Sequence, residues 1–146
     1  MVSTVTLSGM KTQLSPFAII TLQLYFTSVN YANFEVRLYG PDGSYIVIVD
    51  KRGYTYRNIF AGTLFTDTAS NSVATYNFNS NNLVTPLQPE QPFSNLRGTN
   101  PNGQWNIVFF NDFNDGGQIS LVRLTIQGNP KKERKKKKKK KSGKVN

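Results

Sequence analysis

Residues 86–126 read PLQPEQPFSNLRGTNPNGQWNIVFFNDFNDGGQISLVRLTI. Prolines at 89 and 92 stiffen the approach, and Gly98 and Gly103 mark tight turns where the chain needs left-handed backbone. Between Gln104 and Asn111, Trp105, Ile107 and Phe109 fall on one face of a period of two, which predicts a half-buried strand with Trp105 as a core anchor. A polar loop follows, Asn111-Asp112-Phe113-Asn114-Asp115-Gly116-Gly117. The last strand, 119–127, changes phase: Ile119 and Leu121 are in step, whereas Val122, Leu124 and Ile126 are in the opposite step. A one-residue slip reverses every side chain, so a β-bulge is expected near Leu121–Val122.

The same period runs upstream. Ile20, Leu22, Leu24 and Phe26 alternate with Thr21, Gln23 and Tyr25, and Phe34, Val36 and Leu38 alternate with Glu35, Arg37 and Tyr39. Gly40-Pro41-Asp42-Gly43 then signals a turn, and 45–49 supplies a return strand for a hairpin. Residues 50–103 are loop-rich, with short strands expected at 63–65 and 75–78. No stretch has a helical period. Short strands separated by turns predict an all-β, jelly-roll-like antiparallel sandwich over residues 1–129, with Trp105, Ile107, Phe109, Leu124 and Ile126 between its sheets. The breaker cluster 127–130 ends the last strand.

Composition narrows the function. The chain has 146 residues, enough for one domain with a sizeable core. It contains no histidine and no cysteine. A Ser-His-Asp triad, a Cys/His zinc site and a disulfide framework are therefore excluded from this chain alone, and the expectation is a non-enzyme. The longest mainly apolar run, 16–26, is shorter than the ~18 residues of a membrane span. It reads as a buried strand rather than a signal peptide, since it lacks a small-residue cleavage site. No Asn-x-Ser/Thr sequon occurs.

The net charge is +10, yet the body is neutral. Residues 131–146 hold eleven basic residues and one acid, which leaves seven of each sign in residues 1–130. The basic residues are Lys131, Lys132, Arg134, Lys135, Lys136, Lys137, Lys138, Lys139, Lys140, Lys141 and Lys144. Such a self-repelling run predicts a disordered tail over 130–146. Three readings stay open for it: nucleic-acid or other polyanion binding by counterion release, nuclear targeting, and an extension without function. No aromatics interleave the lysines, which argues against base stacking.

Taken together, Pro89, Pro92-Phe93, Leu96-x-Gly98, Gly103-x-Trp105, Asp112, Asp115 and Gly117 resemble the C-terminal half of the P domain (P/Homo B domain) of subtilisin-like proprotein convertases. Val36 to Ser44 resembles that family's Leu-x-Ser-Pro-x-Gly-Thr hairpin, and Phe65-Thr66-Asp67-Thr68-Ala69 its Phe-x-Asp segment. The likeness covers roughly residues 17–127. It departs at 27–34, where the family's histidine is missing, and in the last strand, where Val122 or Arg123 replaces a tryptophan.

The resemblance implies a non-catalytic β-sandwich that binds or stabilises a subtilisin-like serine protease, here in trans. It also implies calcium, since some P domains bind it. The candidate ligands are Asp67, Asp112, Asn114 and Asp115, hard oxygen donors suited to Ca²⁺. The loop is not an EF-hand, because Gly116 and Arg123 stand at its fifth and twelfth positions. The alternative for the same residues is an Asx-turn bonding its own backbone. Two other functional classes remain: a structural or nucleic-acid-associated protein using the basic tail, and a carbohydrate-binding or adhesion module using exposed Tyr and Asn residues. Lys51-Arg52 looks like a dibasic cleavage site, but two adjacent cations in a loop are usually just solvated.

Overall fold

A computed structural model describes residues 1–28, 30–79, 81–111 and 117–129. The described residues form seven β-strands: β1 (Val2–Leu7), β2 (Ile19–Thr27), β3 (Phe34–Tyr39), β4 (Tyr45–Asp50), β5 (Ala61–Thr66), β6 (Gly103–Asn111) and β7 (Gln118–Gln127). They make two antiparallel sheets, β1-β6-β3-β4 and β5-β2-β7, packed into a sandwich. Only β3–β4 is a hairpin within one sheet. Every other connection passes from one sheet to the other.

The alternation read in the sequence places the core. Ile20, Leu22, Leu24 and Phe26 are buried from β2, and Phe34, Val36 and Leu38 from β3. Trp105, Ile107 and Phe109 of β6 lie beside the β3 residues on the same inner face, Leu124 of β7 lies beside Leu22, and Ile126 is only partly buried. Trp105 is fully enclosed, and its indole N–H donates to the Pro101 carbonyl at 2.9 Å, so its one polar atom is satisfied. At the hairpin, the Asp42 carboxylate accepts from the Ser44 hydroxyl at 2.6 Å and the Ser44 N–H at 3.0 Å. These bonds favour the ionised form and hold the Asp42 carboxyl below its ordinary range.

The bulge expected near Leu121–Val122 is present: Phe26 pairs with Ile119 and Tyr25 with Leu121, leaving Ser120 without a partner. One expectation is corrected. Residues 75–78 form no strand. The N–H groups of Thr75 and Tyr76 donate to the Ser72 carbonyl in a turn, and Phe78 is buried edge-on to Phe60 at 5.5 Å. Its apolar character serves packing rather than pairing. The sheet also gains β1, whose weak alternation had no separate signal.

One side of the sandwich is closed by a strap. The Leu87 N–H donates to Leu64 and the Thr66 N–H to the Leu87 carbonyl, along the outer edge of β5. Three residues on, the N–H groups of Glu90 and Gln91 donate to Ile48 and Val47 on the outer edge of β4. The strap thus satisfies two edges that would otherwise be templates for another chain.

Candidate functional site

Of the candidate calcium ligands, Asp67 alone is among the described residues. Asp112, Asn114 and Asp115 lie outside the described residues, as do all the tail cations from Lys131 to Lys141. Asp67 is described, and it is committed elsewhere. Its two carboxylate oxygens accept from the N–H of Phe93 at 2.8 Å and of Ser94 at 3.0 Å. These are free donors at the start of the short 3₁₀ helix Phe93–Leu96. Pro92 occupies the capping position and has no side-chain acceptor, so a carboxylate from across the fold supplies it.

The register separates Asp67 from the aspartate loop. Thr66, just before Asp67, pairs with Thr21, whereas Gln118, just after the loop, pairs with Thr27. Six residues along β2 is about 20 Å. Asp67 therefore stands toward the opposite end of β2 from Gln118, and its carboxylate is engaged by the N–H groups of Phe93 and Ser94. Among the described residues, no group of three His, Cys, Asp or Glu is placed to hold a metal ion.

The motif positions are structural in the described fold. Gly98 has φ +86° in a turn, whereas Gly103, expected in a turn, opens β6 with φ +127°, where a Cβ would lie 3.0 Å from the Pro41 ring. Gly117 is required by space: a Cβ there would lie 2.9 Å from the Phe26 ring and 3.0 Å from the Phe34 ring. Arg52 of the dibasic pair forms a two-pronged ion pair with Glu90 at 2.6 and 3.1 Å, tying the loop after β4 to the strap. That pairing raises the Arg52 guanidinium above its ordinary value, and it occupies the residue.

A different constellation stands out on the outer face of the four-stranded sheet. Arg37 points outward at the centre of β3, with Val47 of β4 and Val108 of β6 as its direct partners. The diagonal neighbours on either side are Tyr45 and Phe110. Long side chains reach such diagonal partners. The Arg37 guanidinium lies 4.7 Å from the Tyr45 ring centre and 4.6 Å from that of Phe110, so it is held between two aromatic rings.

Its nitrogens are fixed as well: Nε donates to Glu35, and Nη1 donates to the Tyr39 hydroxyl at 3.1 Å. The Glu35 bond and then the Tyr39 bond raise Arg37 above the usual arginine range, so it is a permanent cation. Tyr39 and Tyr45 rings lie 4.9 Å apart across the hairpin. Tyr45 is 45% exposed and Phe110 38%. A shallow groove continues beside this cluster, bordered by Thr4, Tyr39, Gln104 and Asn106.

The opposite sheet turns Thr21, Gln23, Arg123 and Thr125 outward, with Tyr25 as its exposed aromatic. The Arg37 cluster was not singled out from sequence. Alternation alone placed Arg37 outward, but its stacking depends on the pairing of β3 with both neighbours, which local sequence does not encode.

The arrangement offers aromatic surface, a cation and a carboxylate side by side on one sheet face. No protein-family model matches the chain, and no curated protein matches it.

Proposed function

We propose that this protein is a non-catalytic binding module of the P-domain kind, which engages and stabilises a protein partner through the outer face of its four-stranded sheet. The observation that carries this reading is the Arg37 cluster, in which Tyr39, Tyr45, Phe110 and Glu35 hold one guanidinium on the outer sheet face. Tyr and Arg are the side chains that most often anchor protein interfaces. Here their conformations are fixed before binding, so little side-chain freedom is lost on association. The partner class follows from the resemblance in residues 17–127: a subtilisin-like serine protease domain supplied in trans.

The ring faces of Tyr45 and Phe110 are turned toward Arg37, which favours a protein surface over a stacked sugar. The test is to mix the protein with subtilisin-like catalytic domains encoded in the same genome. Binding is measured by calorimetry and protease half-life by residual activity. The reading requires binding that Tyr45→Ala combined with Phe110→Ala weakens at least tenfold, about 1.4 kcal/mol. No binding to any such domain, or binding indifferent to these residues, rejects it.

A further inference from the structure

The two sheets end in four strand edges, β1 and β4 on one, β5 and β7 on the other. An exposed edge is a template for another strand, and proteins protect it with a covering segment, a charge, a proline or a bulge. The strap covers β5 and β4, and on β4 the Gln91 side-chain oxygen also accepts the Val47 N–H at 2.7 Å. β7 carries exposed Arg123 and the bulge at Ser120. β1 has none of these devices. Its residues, Val-Ser-Thr-Val-Thr-Leu, include no charge, proline or glycine. Its register with β6 runs unbroken from Val2 opposite Val108 to Leu7 opposite Gly103. Valine and threonine favour strands, so the segment holds its extended form well.

The phase of the ladder shows which backbone groups face outward. Met1 and Phe109 exchange two bonds: the Met1 amine donates to the Phe109 carbonyl at 3.2 Å, and the Phe109 N–H to the Met1 carbonyl at 2.8 Å. Such bonded pairs recur at every second residue of an antiparallel ladder. Ser3 and Val5 therefore bond to Ile107 and Trp105, whereas Val2, Thr4 and Thr6 aim their N–H and C=O groups away from the sheet. Among the described residues, no backbone partner meets those groups. The Val2, Thr4 and Thr6 side chains are exposed on the outer face. On the inner face, Val5 and Leu7 are only partly buried.

We infer that the β1 edge docks a second copy of this chain, whose own β1 adds antiparallel and joins two four-stranded sheets into one of eight strands. The strand is complementary to itself about Thr4. With the two Thr4 residues opposite each other, Val2 faces Thr6 of the other copy and Ser3 faces Val5. Every outward N–H and C=O of Val2, Thr4 and Thr6 then has a partner, and the paired strands bring no charges together. The contact uses the same patch on both copies, as a two-fold interface requires. Backbone pairing of this kind is what gives strand addition its affinity. The two-fold axis stands perpendicular to the sheet, so both Arg37 faces point to the same side and stay open. A strand from another protein would use the same backbone bonds, but the uncharged, self-matched sequence favours a second copy.

Sedimentation equilibrium of the full chain provides the test. The wild type is expected to show a monomer–dimer equilibrium. Thr4→Lys and Thr4→Glu each set like charges directly opposite at the two-fold axis, which opposes pairing. Each should raise the dimer dissociation constant at least tenfold, with a melting curve close to that of the wild-type monomer. An equimolar mixture of the two variants should recover the dimer, because lysine then faces glutamate. In the wild type itself, hydrogen exchange at the Thr4 and Thr6 amides should slow as protein concentration rises, while exchange at Val5 stays the same. A chain that remains monomeric at every concentration would overturn the inference. A dimer indifferent to Thr4→Lys, with Thr4 and Thr6 amides still exchanging fast, would overturn it by moving the contact to another face. Slowing of those amides only when a protease domain is added would overturn it in favour of a foreign strand.

Discussion

The Asp67 carboxylate accepts the backbone N–H of Phe93 at 2.8 Å, joining the end of β5 to the start of the 3₁₀ helix that follows the strap. The Ser94 N–H reaches its second oxygen at 3.0 Å. Asp67→Ala leaves both donors without their charged acceptor and is expected to destabilise the protein by about 1–3 kcal/mol. Urea denaturation measures this. Because Thr66 and Gln118 pair six residues apart on β2, Asp67→Asn should leave the response of the melting temperature to calcium the same as in wild type.

Trp105 is the largest fully buried side chain. Trp105→Ala should cost about 3–5 kcal/mol, the range of large-to-small core replacements. Trp105→Phe should cost less but strands the Pro101 carbonyl that the indole N–H now serves at 2.9 Å. Equilibrium unfolding of the two variants should rank them in that order.

Tyr31 is buried, and its hydroxyl donates to the Phe26 carbonyl at 3.0 Å. Burial raises its phenol above the ordinary value of 10.0. The stabilisation that goes with this is complete below the unfolded value and is lost as pH climbs through the higher folded value. Stability should therefore decline above about pH 10, and Tyr31→Phe should remove that part of the decline. The same variant should lose about 0.5–1.5 kcal/mol at neutral pH with the hydrogen bond. Chemical denaturation between pH 7 and 11 tests both statements.

Residues 130–146 hold the whole charge excess over a neutral body. Removing them should abolish binding to heparin or nucleic acid and leave unfolding free energy unchanged. For the full chain, affinity for double-stranded DNA should fall with salt at a log–log slope of roughly −0.9 per phosphate neutralised. A truncated body that binds as tightly as the full chain would show that the basic run is incidental.

Much of this fold is written at period two. β2, β3 and β6 are each alternating runs long enough to name their buried face, and Gly40 to Gly43 names the hairpin turn. β1 escaped because Ser3 shares the inward face with Val5 and Leu7, which blurs the pattern. Tyr76 and Phe78 looked like a strand because packing and pairing both demand apolar residues. The site was less legible. Asp67 drew attention as an oxygen donor, but its donors sit 26 and 27 residues away in sequence. Arg37 meets Tyr45 and Phe110 only through the register of three strands. Contacts of this kind depend on tertiary pairing, which no local period records.

The central claim is that partners are met by the Arg37 face. Hydroxyl-radical footprinting of the protein alone and in complex tests it most directly, because aromatic rings oxidise readily and each is read separately by mass spectrometry. The account predicts that Tyr39, Tyr45 and Phe110 become protected in the complex, while Tyr54, Tyr56 and Phe17 keep their reactivity. Unchanged oxidation of Tyr45 and Phe110 in a fully formed complex would contradict it.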